Sequence, residues 1–105
     1  MLVSLKNTSI VALDEQTMQM KNGDTRRKQE ITCTEQTRDG MLLVGGIEAW
    51  DDTIDKMGLF VGQQLEELKL RVTARSVNGK WWWSVQAYAA IPSSNNQQQE
   101  GAQAF

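Results

Sequence analysis

The 105-residue chain has no histidine, one cysteine and one proline. Without histidine, both the commonest general base and the commonest nitrogen ligand for zinc are missing. A single cysteine does not repair this, so Cys/His zinc sites and Ser–His or Cys–His nucleophile pairs are excluded. Cys33 has no partner for an internal disulfide, and its place in the alternating run Gln29, Ile31, Cys33 reads as a small buried hydrophobe. No stretch approaches the ~20 apolar residues of a membrane-spanning helix. Lys6, Asn7 and Thr8 interrupt the basic-then-apolar layout of a signal peptide early. The expectation is a cytoplasmic protein without membrane association. Carboxylate-only chemistry through Asp51, Asp52 and Asp55 stays formally open. Their spacing after Trp50 reads instead as the acidic first turns of a short helix, and three acids supply too few oxygens for a hard cation. The chain is read as a non-enzyme, with no metal and no cofactor.

Eleven basic residues stand against 13 acidic ones, a formal charge of −2. Their distribution matters more than the sum. Arg26, Arg27 and Lys28 form one basic cluster, and Lys69, Arg71, Arg75 and Lys80 form another, while acids gather at 14–15, 51–55 and 66–67.

The segment from Arg71 to Tyr88 specifies a β-hairpin. Asn78-Gly79 lies between two alternating runs, and both positions of a type I′ turn need φ > 0. That turn sets Val77 opposite Lys80, then Arg75–Trp82, Ala74–Trp83, Thr73–Ser84, Val72–Val85, Arg71–Gln86, Leu70–Ala87 and Lys69–Tyr88. Period-2 alternation places Leu68, Leu70, Val72 and Ala74 with Trp83, Val85, Ala87 and Ala89 on an apolar face. The other face carries Lys69, Arg71, Thr73 and Arg75 with Trp82, Ser84, Gln86 and Tyr88. Three cations beside an indole and a phenol suit a polyanion whose bases stack, which is single-stranded nucleic acid.

Further strands are expected over Thr8–Met20, with a bulge or bend at Asp14-Glu15-Gln16, over Arg26–Glu35, and over Met41–Trp50 with coiling at Gly45-Gly46. A short helix follows over Asp51–Met57, stopped by Gly58. Strands four and five run over Leu65–Ser76 and Lys80–Ile91, and Pro92 ends the last. Three strands, a helix and two strands is the layout of a five-stranded OB-fold, a partly open Greek-key barrel. The fold class is thus all-β with one short helix, with a domain over 1–91 and a disordered polar tail over 92–105, where apolar groups are too few to fold.

From Arg27 to Ile91 the chain resembles a family of small, uncharacterised bacterial proteins related to single-stranded-DNA-binding proteins. The resemblance lies in Arg27-Lys28-Gln29-Glu30-Ile31, Glu48-Ala49-Trp50-Asp51-Asp52, Val61-Gly62, and Asn78-Gly79-Lys80-Trp81 with Val85-Gln86-Ala87-Tyr88. It implies an OB-fold and single-strand binding.

OB-folds bind oligonucleotides across strands 2–3 and the loops joining strands 1–2 and 4–5. The candidate nucleic-acid-binding residues are Trp82, Tyr88, Arg75, Arg71, Lys69, Lys80, Arg26, Arg27, Lys28 and Trp50, the last turned outward by the alternation that buries Ile47 and Ala49. Trp81 and Trp83 share the parity of Val85 and Ala87 and read as plugs for the barrel's end. The expected function is largely sequence-independent binding of single strands, single-stranded DNA first. The alternative is an assembly module whose aromatic hairpin is the interface of a homo-oligomer. Phe105, ending a polar tail at a free carboxylate, is a candidate anchor for a protein partner.

Overall fold

The computed structural model describes residues 1–93. Its elements are β1 (Leu2–Gln19), β2 (Thr25–Thr37), β3 (Gly40–Trp50), α1 (Asp52–Met57), β4 (Gln64–Val77) and β5 (Lys80–Pro92). The strands close into a barrel in the order β1-β2-β3-β5-β4, with β4 returning to pair with β1. Every pairing is antiparallel except β3 with β5, which is parallel and spans only Ile47–Val85 and Glu48–Gln86. With α1 between β3 and β4, this is the OB-fold the sequence layout implies. Among the described residues no helix is long and apolar enough to cross a membrane. Phe105 and the expected tail beyond Ser93 lie outside the described residues.

Inward-facing Ile10, Ile31, Cys33, Ile47, Ala49, Leu65, Leu68, Leu70 and Ala87 fill the barrel, and Ile54 of α1 packs onto them. Full burial of each large aliphatic side chain contributes about 1.5–3 kcal/mol. Gly58 ends α1 in the left-handed region at φ 56°, donating its N–H to the Ile54 carbonyl at 3.1 Å.

β1 begins at Leu2, six residues before the expected Thr8. Its first part pairs with β4 and its second with β2, and Thr8 and Ser9 pair with both. That extra stretch is held by a partner some 60 residues away, so local sequence carried little sign of it. No bulge falls at Asp14-Glu15-Gln16, which pair directly with Glu30, Gln29 and Lys28; the shift in this hairpin is between Ile10 and Ala12. Gly45-Gly46 does mark an irregularity, where the β2–β3 register shifts between Ile31 and Cys33.

In the β4–β5 hairpin, Asn78 and Gly79 take φ 53° and 79°, and the register runs as read from Val77–Lys80 to Leu70–Ala87. It departs at Tyr88: Lys69 pairs with Ala89, so Tyr88 is the extra residue of a bulge. The alternation then flips, and Ala90, opposite Leu68, packs on the core in place of Ala89. A second correction concerns the far end. Every residue from Thr73 to Trp83 is exposed, Ala74 and Trp83 included. β1 pairs with β4 no further out than Arg71, and β3 meets β5 only at Val85 and Gln86, so among the described residues no layer covers the hairpin's apolar side there. The outer hairpin is an arm projecting from the barrel.

Candidate nucleic-acid interface

Trp50 ends β3 opposite Lys28, on the outward face shared with Glu48 and Glu30. The Arg26 guanidinium lies 4.5 Å from the Trp50 ring centroid, and Lys28 Nζ lies 5.9 Å from it. Cation–π attraction at such a part-exposed site is worth about 0.5–1 kcal/mol. Asp51, at the helix N-cap with φ 52°, holds the arrangement. Its carboxylate accepts the Arg27 backbone N–H at 3.1 Å and Arg26 Nε at 2.9 Å, with Arg26 Nη2 at 2.8 Å. These partners, the backbone N–H first, hold the Asp51 carboxyl below its usual range.

The other two cations of the β2 cluster are also engaged. Arg27 grips Asp55 with two nitrogens, at 2.8 and 3.0 Å, and reaches Glu15 at 2.8 Å. Lys28 Nζ lies 3.1 Å from Glu48 and 3.3 Å from Glu30, and both carboxylates, Glu48 first, raise its pKa. The Arg27 pairs are exposed, where solvent screens their contribution to stability, and the Lys28–Glu48 pair is the least exposed of the set. Their consequence is electrostatic: β2 offers a ligand less net positive charge than its Arg-Arg-Lys sequence suggests.

Across from Trp50 stands the β4–β5 arm, and a groove of about 680 Å³ opens between them. Met20, Arg26 and Trp50 line one side. Thr73, Ala74, Arg75, Trp82, Trp83 and Ser84 line the other, and Glu48 and Gln86 lie where β3 and β5 pair. Trp82 is 56 % exposed, and Arg75, its register partner, has no carboxylate within ion-pairing distance among the described residues. Such a groove, with an indole and a guanidinium group on each wall, offers partners for flat rings and for phosphate oxygens.

Of the expected site residues, Arg26, Trp50, Arg75 and Trp82 come together here. Arg27 is turned away to Asp55 and Glu15, and Lys28 sits beside Trp50 without lining the groove. Lys69, Arg71, Lys80 and Tyr88 do not line it either; Arg71 instead lies 5.5 Å from the Tyr88 ring centroid. Trp81 and Trp83 plug nothing: they are 65 % and 69 % exposed, for want of a covering layer, and Trp83 lines the groove. Sequence reasoning missed Met20, Glu48, Gln86 and the Asp51 clamp. The i, i+2 spacing of Glu48 and Trp50 was the available signal for Glu48.

No family model matches the chain, and none of the curated proteins matches it. Among solved structures it is similar to a small single-stranded DNA-binding protein from Streptomyces coelicolor, at 17% sequence identity and a TM-score of 0.38, over 91% of this chain and 96% of that one.

Proposed function

We propose that the protein binds single-stranded nucleic acid, single-stranded DNA first, by stacking bases in the groove between Trp50 and the β4–β5 arm. The observation that carries this reading is the convergence of Trp50, Trp82 and Trp83 with Arg26 and Arg75 on one groove. Among the described residues no helix lines the groove to enter a duplex major groove, and stacking accepts any base, so binding is largely independent of sequence.

Two guanidinium groups line the groove. Arg26 is already paired with Asp51, so Arg75 is the one counted: one neutralised phosphate would weaken binding about two- to threefold between 50 and 200 mM salt, from a slope of roughly −0.7 per phosphate on single strands. The experiment is fluorescence anisotropy of labelled oligo-dT and of a duplex of equal length at both salt concentrations. Preferential, salt-sensitive binding of oligo-dT is expected. Equal binding of the duplex contradicts the proposal.

A second reading is favoured by Trp81, which is 65 % exposed and does not line the groove. There the arm is a homo-oligomer interface, and its association would persist at high salt, which screens charge but not apolar contact.

A further inference from the structure

We propose that Glu48, with Gln86 beside it, reads the Watson–Crick edge of a base held in the groove and favours cytosine over thymine. The inference rests on the single-strand reading above and adds a bias at one position to an otherwise sequence-tolerant site. A carboxylate is a costly lining for a groove that takes a polyanion, because it repels phosphate. Glu48 nevertheless lines it, on the same outward face as Trp50 and in register with Gln86 of β5. Lys28 makes its closest approach to Oε2, at 3.1 Å, and no side-chain hydrogen bond to Oε1 occurs among the described residues. The Gln86 amide makes no side-chain hydrogen bond among them either, and it offers both a donor and an acceptor.

A base stacked on an indole turns its edge, not its face, to groups beside the platform. Cytosine N4–H donates to the Glu48 carboxylate, and Gln86 Nε2 donates to cytosine N3 or O2. Thymine carries O4 in place of that amino group, which sets acceptor against acceptor. The repulsion that makes Glu48 unfavourable for phosphate is thus turned into discrimination between bases.

The test is titration of equal-length oligo-dC and oligo-dT, at pH 8, against the native protein, Glu48→Gln and Gln86→Leu. The native protein is expected to bind oligo-dC about tenfold more tightly. Glu48→Gln should bring the ratio to unity or invert it, because a glutamine amide donates to O4; Gln86→Leu should lower the ratio and keeps the test open if the first variant does not fold. Equal native affinities for the two homopolymers, or a ratio unchanged in the folded variants, overturn the role of Glu48. Absence of binding to both by the native protein overturns the single-strand reading itself, and this inference with it.

Discussion

Replacing residues 74–83 with an Asn-Gly turn joins Thr73 to Ser84, a register pair in the same hydrogen-bonding phase as Val77–Lys80, so a two-residue type I′ connection fits. The excised arm contributes nothing to the buried core, which along this hairpin ends at Leu70 and Ala87 with Val85 packed partly against it. Since Thr73 to Trp83 are all exposed, the loss of folding free energy is expected to stay near the ~0.5 kcal/mol of surface changes, about 2–4 °C in melting temperature. Binding should respond very differently. The cut removes Trp82 and Trp83 from the groove, at about 1–3 kcal/mol per stacked base, so affinity for oligo-dT should fall by about thirtyfold or more. The four tryptophans of the chain are Trp50 and the three removed, so Trp50 alone reports both the thermal unfolding and the titration. An unfolded variant would show that the arm belongs to the core. A folded variant with undiminished affinity would show that the groove is not the site.

Single substitutions should separate the same two roles. Trp82→Ala is expected to weaken oligonucleotide binding about tenfold with stability nearly unchanged, whereas Leu68→Ala, in the core, should cost about 2–5 kcal/mol of stability by urea denaturation. The carboxyls of Asp51, Asp55 and Glu67 are held below their ordinary values by the Arg27 N–H with Arg26, by Arg27, and by Lys6 respectively. A carboxylate lowered on folding adds stability that is present above its unfolded pKa and lost as pH falls through the folded one. The melting temperature should therefore be level from pH 7 to 5 and drop below about pH 4; a drop already complete at pH 5 would contradict these pairings. Burial pushes the Cys33 thiol up to about 11, so thiol reagents at pH 8 should leave the native protein unlabelled and modify it only on unfolding.

What was legible in the sequence follows from the range of the interactions involved. Asn78-Gly79 is a local signal with a steric cause, and it fixed the hairpin register through Leu70–Ala87. The alternation of Ile47, Ala49 and Trp50 likewise put two residues in the barrel and the third outside. The bulge at Tyr88 was not legible, because Ala87, Ala89 and Ala90 fit either face equally well and the choice is made by Leu68 across the ladder. Trp83 was assigned to the core on parity alone. Parity gives a side but not whether anything covers it, and cover depends on where β1 and β3 stop pairing. Arg26-Arg27-Lys28 read as free positive charge because, apart from Glu30 on β2 itself, its partners Glu15, Glu48, Asp51 and Asp55 come from elsewhere in the chain. Such charge compensation forms only once the chain is folded.

The central claim is that bases stack in the groove between Trp50 and the arm. Each of the four tryptophans carries one indole N–H, so ¹H–¹⁵N spectra collected during an oligo-dT titration test that claim residue by residue. The Trp50, Trp82 and Trp83 indole signals are expected to shift together and saturate, with Trp81, which lies off the groove, shifting least. Indole signals that stay fixed while the largest changes fall on exposed Met41, Leu42 and Leu43 would contradict it.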